Sequence, residues 1–229
     1  MAESVKRPRR YDSPLRREQA ARTRLQILEA AQRLFERDGY AATSMAAIAS
    51  AAGVSLKTVY LVFETKPGLL RAQWHLLLRG RQDNVPVGEQ RWYREVLDEP
   101  DPERQLCLNM RNSLTVKTRA GAMMDVIRDA ASSDPEIAAL WARIQTEFHD
   151  NQRAIVQSLA DKDALAVGLD VAGATDILWA LNHPNTWQLL AGERHWTAEQ
   201  YEQWSGDTAC AQLLDSRERR RARTPKRRA

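Results

Sequence analysis

The sequence predicts an all-α protein of two helical parts, and three observations carry that prediction. Apolar residues recur at helical spacing along nearly the whole chain, and no stretch alternates apolar and polar residues with the period of two that a half-buried strand requires. Capping residues and prolines stand where these periodic runs begin, and glycines where they end. Finally, an alanine-rich segment around Gly53 allows two short helices to cross closely at a tight turn.

A first helix is expected from Ser13 to Asp38, with Ser13 as cap, Pro14 at the first helical position and Ile27, Leu28, Ala31, Leu34 and Phe35 on one face. Gly39 stops it, as a left-handed C-terminal residue does. A short second helix starts at Thr43 or Ser44, runs through Met45, Ile48 and Ala49, and ends at Gly53. Ser55 caps a third helix that carries Val59, Tyr60 and Phe63. Ala46, Ala47, Ala49, Ala51 and Ala52 keep the second helix thin, so residues 44–63 have the arithmetic of a helix-turn-helix. A generic helical hairpin has the same spacing. Leu69, Leu70, Trp74, Leu77 and Leu78 suit a fourth helix. Beyond it, helices are interrupted at Val85 to Glu89, at Glu99-Pro100-Asp101-Pro102 and at Ser132 to Pro135.

Charge divides the chain in the same way. Residues 1–66 have net charge +5, residues 67–214 net −7 and the last fifteen residues net +6, within a total of +4 over 229 residues. A basic front third on an acidic body reads as a polyanion-binding module joined to a domain that must not bind the same polyanion, and nucleic acid is the first such partner to consider. The corresponding organisation is a basic arm (1–17), a head (18–66), an acidic helical body (67–214) and a basic, disordered tail (215–229).

The run RTRLQILEAAQRLFERDGYAATSMAAIASAAGVSLKTVYLVFETKPGLL resembles the DNA-binding domain of TetR-type bacterial transcriptional regulators. Shared features are the ILEAAQRLF helix, the GY and ATS entry to the second helix, IA and AGVS through the turn, TVY and F in the third helix, and K and LL opening the fourth. A looser similarity to an actinobacterial-type subgroup lies in EPDPERQL, AASSDPEIAALW, ATDILWAL and the W–YEQW region. The resemblance implies a homodimeric, cytoplasmic, sequence-specific DNA-binding regulator. It implies a repressor that binds a palindromic operator through the major groove and is released by a small-molecule inducer acting on the body. The fourth helix then connects head and body.

Carried over position by position, the resemblance places Thr43, Ser44, Ser55, Leu56, Lys57, Thr58, Tyr60 and Lys66 at the DNA. Lys57 is the natural base reader, because an ammonium can donate to guanine O6 or N7. Leu56 can only touch an apolar group such as a thymine methyl, and the hydroxyls and Lys66 suit phosphate oxygens. Thr43, Ser44 and Ser55 can equally serve as caps. The chain departs from the family pattern at Leu61 and Val62 and at Ala46 and Ala47, where fewer hydrogen-bonding groups face an operator. The arm residues Lys6, Arg7, Arg9, Arg10, Arg16 and Arg17 are expected to compensate through phosphate or minor-groove contacts.

In the body, aromatic and methionine residues with a few polar neighbours nominate a ligand pocket: Trp92, Asn109, Met110, Ser113, Met123, Met124, Trp141, Phe148 and Trp179. The same residues also suit a plain helical core. Asn109, Arg111 and Asp125 are the polar positions of most interest if buried. Stripes on the last helices nominate a dimer interface of Ala174, Leu178, Leu181, Trp187, Leu190, Tyr201, Trp204, Thr208 and Ala211.

Other chemistries find no motif. There is no Gly-rich phosphate loop, HExxH, GxSxG or metal-spaced Cys/His set, so neither an enzyme nor a cofactor or metal site is expected. Cys107 and Cys210 lie far apart in sequence and read as reduced core cysteines. Neither a membrane span nor a signal peptide is expected. The rival reading from another class is an architectural, nucleoid-associated DNA-binding protein that uses both basic ends without an inducer.

Overall fold

In the computed structural model, the described residues are 14–79 and 87–215. The expected Ser13 cap, the arm residues Lys6, Arg7, Arg9 and Arg10, and the tail from 216 onward therefore lie outside them. Among the described residues the architecture is helical throughout, with one isolated antiparallel bridge between Leu165 and Leu214. The chain divides into two compact units between Gln73 and Trp74.

The first unit is built on α1 (Pro14–Ala42), which breaks from helical geometry at Gly39 (φ 79°), α2 (Met45–Ala52) and α3 (Leu56–Phe63). Its core is the apolar face read from the sequence: Ile27, Leu28, Ala31 and Phe35 of α1 are buried together with Met45, Ile48, Val59 and Phe63. Ser44 caps α2, its Oγ accepting from Ala47 N at 3.1 Å, and Ser55 caps α3, its Oγ accepting from Thr58 N at 3.1 Å. Between them Gly53 sits at φ 67°, where its N–H reaches back to the carbonyls of Ala49 and Ser50. A residue with a Cβ pays for that left-handed conformation, whereas glycine does not. The turn swings the chain through 109° from α2 to α3, within the range expected of a helix-turn-helix.

Helix α4 (Lys66–Arg79) begins with Thr65, whose Oγ1 accepts from Gly68 N at 3.0 Å, and crosses the boundary between the units. It is thus the covalent link between them.

The second unit contains a short 3₁₀ turn (Val87–Glu89), α5 (Arg91–Asp98), α6 (Pro102–Ala130), α7 (Pro135–Ala160), α8 (Val171–Leu181), α9 (Pro184–Trp187), a π turn (Gln188–Glu193) and α10 (Ala198–Leu213). Asp101 and Asp134 cap α6 and α7, each followed by proline, so the two interruptions expected at 99–102 and 132–135 are helix starts. Helix α6 packs against α10 and α7 against α8. Tyr93, Leu106, Met110, Ile155, Leu159, Leu178 and Leu213 form the centre of this core. The cysteines meet across α6 and α10: Cys107 is half-buried, Cys210 is buried, both are free, and a Cys107–Cys210 hydrogen bond draws the Cys107 thiol below its usual value and raises Cys210. No single helix among the described residues is long and apolar enough to cross a membrane.

Candidate nucleic-acid interface and ligand cavity

Helix α3 presents two faces. Val59 and Phe63, four residues apart, are buried in the head. On the other side, Leu56 with Tyr60 and Lys57 with Leu61 form two adjacent rows of the same spacing, with Leu56 41%, Tyr60 49% and Leu61 81% exposed. Three large apolar side chains open to solvent on eight residues are a patch rather than scattered surface leucines. Lys57 is exposed in the same patch.

The expected contact residues separate on inspection. Ser44 and Ser55 are exposed, and each uses a lone pair to cap a helix; Ser55 Oγ also pairs with Thr58 Oγ1 at 2.7 Å. Lys66 Nζ lies 4.1 Å from the centroid of the Tyr40 ring. Thr43 corrects the expectation: it is 3% exposed, and its hydroxyl donates to the carbonyls of Gly39 (2.8 Å) and Leu34 (3.2 Å). It closes the break after α1 and does not present its hydroxyl to a partner. Leu61, treated in the sequence as a departure from the pattern, is the most exposed apolar residue of the helix.

The body holds a cavity that opens to solvent. Trp74, Val87, Trp92, Tyr93, Met124, Ile144 and Phe148 supply its apolar walls. Five of the nine nominated residues line it: Trp92, Asn109, Ser113, Met124 and Phe148. The other four do not. Met110 and Met123 are buried in the core, at 1% and 0% exposure, because they stand on neighbouring faces of α6. Trp141 is not in the wall, and Trp179 packs edge-to-face against His183 with ring centroids 4.8 Å apart.

One end of the cavity is polar and buried. Lys117 Nζ donates to Asn182 Oδ1 at 2.5 Å. Asn182 Nδ2 donates to Ser113 Oγ at 2.8 Å and to Gln152 Oε1 at 3.1 Å, and Asn109 Nδ2 reaches Gln152 Oε1 at 3.2 Å. Asn109, Lys117, Gln152 and Asn182 are all at most 5% exposed. Desolvation brings the Lys117 amine down to about 7. His183 is held below its ordinary value by burial, then by the charges of Lys117 and Arg128. Lys117, Gln152 and Asn182 were not nominated from the sequence. The available signal was position: Asn109, Ser113, Lys117 and Met124 share one face of α6 at helical spacing, so a lysine falls on a buried stripe. Of the other polar candidates, Arg111 lies outward in an ion pair with Glu202 at 2.8 Å. Asp125 pairs with Arg128 at 2.9 Å and borders a second cavity that shares Lys117 and Met124.

The proposed dimer stripe also needs correction. Ala174, Leu178 and Tyr201 are fully buried inside their own bundle, so they cannot touch a second copy. Leu181, Trp187, Leu190, Trp204 and Thr208 are partly exposed and Ala211 exposed.

Residues 27–72 match the family model of bacterial regulatory proteins of the tetR family. The match gives this chain a tetR-family DNA-binding domain. The HTH-type transcriptional regulator TtgR of Pseudomonas putida is 28% identical over 148 residues, 63% of this chain and 68% of the relative. Two solved structures share the fold. NalD, the secondary repressor of the MexAB-OprM multidrug efflux pump in Pseudomonas aeruginosa, is 23% identical with a TM-score of 0.64, covering 86% of this chain and 98% of its own. The SmeT–triclosan complex is 18% identical with a TM-score of 0.67, covering 86% and 94%. The two structures show the fold, and the actinobacterial-type subgroup is not shown by these comparisons. A chain with this domain is a DNA-binding transcriptional regulator, and regulators of the tetR family act as dimers and bind small-molecule ligands.

Proposed function

We propose that this regulator is a cytoplasmic homodimeric repressor that binds an inverted-repeat operator and is released when a small molecule fills the cavity of the body. The observation that carries the reading is the outer face of α3, where Leu56, Lys57, Tyr60 and Leu61 stand exposed on a helix whose opposite face is locked by Val59 and Phe63. Such a helix suits the major groove. Lys57 donates to guanine, the leucines cover thymine methyls, and Tyr60 with the Ser44 and Ser55 hydroxyls holds phosphates. The boundary falls within α4, so the head comprises the helix-turn-helix and the first half of that helix. The partly exposed Leu181, Trp187, Leu190, Trp204, Thr208 and Ala211 form the surface between copies, and Leu189, 53% exposed, joins them.

NalD, which is a repressor by name, and SmeT, solved with triclosan bound, support the repressor and ligand parts of this reading. Binding selection from a random DNA pool tests it. A dimer by sedimentation that prefers a selected inverted repeat over scrambled DNA by roughly 10³ or more is the expected result. A monomer, or binding to all sequences within about tenfold, overturns it and favours an architectural role.

A further inference from the structure

We infer that the cavity of the body selects acids: small molecules with an apolar, ring-sized body and a single negative charge, held by Lys117 at the buried polar end. The inference rests on the reading of the cavity as the ligand site and names the class of ligand it takes.

Lys117 is 5% exposed in the wall of the cavity, on the inner face of α6. Its amine donates to the neutral amide oxygen of Asn182 and stands 5.2 Å above the Tyr201 ring. Among the described residues no carboxylate lies within ion-pair distance of it. Glu147, the other charged residue lining the cavity, is exposed. An amide and a ring face do not replace the water lost by an ammonium, so for folding alone a leucine or methionine at 117 serves better. A buried amine without a counter-ion, opening on a cavity with otherwise uncharged inner walls, is the arrangement of a binding site.

The neighbours fit the same occupant. Ser113 Oγ accepts from Asn182, which leaves its own proton to donate to a second acid oxygen. Trp74, Trp92 and Phe148 offer flat apolar surface to the body of the ligand. A cationic ligand meets Lys117 as a like charge, and a neutral one forgoes the charge-assisted hydrogen bond.

Matched probes test this in the intact protein: naphthalene-2-acetic acid, 4-phenylbutyric acid and octanoic acid, each with its primary amide, measured by calorimetry and by fluorescence of the cavity tryptophans. The expected result is that acids bind more tightly than their amides by roughly tenfold to a hundredfold, and that Lys117→Met removes the preference while the amides bind at least as well as before. Lys117→Gln, which keeps a polar end group, is the second variant, and thermal melting verifies that each variant is folded. Equal binding of acids and amides to the natural protein, binding of none of the acids, or a preference that survives in both folded variants overturns the inference. Sequence-selective DNA binding without acid preference defeats this inference alone, whereas Lys117-dependent acid binding without sequence-selective DNA binding defeats the repressor reading alone.

Discussion

The proposed roles of two side chains, Lys57 in the head and Lys117 in the body, can each be tested singly. At the head, Lys57 is the one ammonium on the exposed face of α3, flanked by leucines. Lys57→Ala is expected to weaken a selected operator by about 1–3 kcal/mol and to relax preference at a single base pair of each half-site, as read by competition binding. A uniform loss over all sequences would reassign Lys57 to phosphate contact. In the body, the Lys117 amine falls from its ordinary 10.5 to about 7 because of desolvation. The folded protein therefore holds this proton less tightly than the unfolded chain. Below pH 7 both states are charged and the full cost of burying the ammonium opposes folding. Between about 7 and 10.5 the folded amine is neutral while the unfolded one is charged, so its contribution improves by about 1.4 kcal/mol per pH unit. Around it, His183 is itself held low, the Tyr201 phenol is pushed up by burial, and Glu147 is exposed. Lys117→Met should thus raise denaturation stability most near pH 6 and progressively less toward pH 10. A difference that does not vary with pH would show that the amine is not buried as charge.

At the scale of elements, much of the head was legible and the site in the body only partly so, for different physical reasons. Helix starts and stops are local: Ser44, Gly53, Ser55, Asp101 and Asp134 act on backbone groups within a few residues, and their signals sit in the sequence beside the geometry they create. The cavity is non-local. Its polar end joins Ser113 and Lys117 of α6, Gln152 of α7 and Asn182 at the end of α8, residues as far apart in sequence as 69 positions. No single helix pattern reveals that convergence. Aromatic character likewise nominated Trp141 and Trp179 together with Trp92, although only Trp92 is in the wall, because indole rings serve core and pocket alike. Thr43 shows the same limit at small scale, since its partners Leu34 and Gly39 depend on how the chain turns after α1. The turn of the helix-turn-helix gives an element-scale prediction. At Gly53 an added Cβ meets nothing within 4 Å, so the cost of Gly53→Ala is conformational alone, about 1–2 kcal/mol for the left-handed backbone. Thermal melting should show that loss, and Gly53→Asn should recover part of it, because asparagine tolerates the same region. Equal melting of all three proteins would mean that the turn relaxes out of the left-handed region.

For the whole molecule, any coupling between head and body is reciprocal, however the two units are arranged. If filling the cavity lowers operator affinity by some factor, operator DNA must lower the affinity of the cavity for the same ligand by the same factor, because the two binding events close a thermodynamic cycle. Couplings of this kind are typically about 5-fold to 150-fold. An acidic probe that binds at Lys117 should therefore weaken the operator complex within that range, and saturating operator should weaken the probe equally when both are measured at one pH and salt. Salt matters because the DNA arm of the cycle steepens with every phosphate contact, whereas the cavity arm does not. Lys117→Met supplies the discriminating leg: the acid should lose its effect on the operator together with its affinity, while an amide that still fills the cavity should retain its effect. Were the acid to release DNA from the Lys117→Met protein as effectively as from the natural one, the released state would be governed by a site other than this cavity, whatever the affinities measured there.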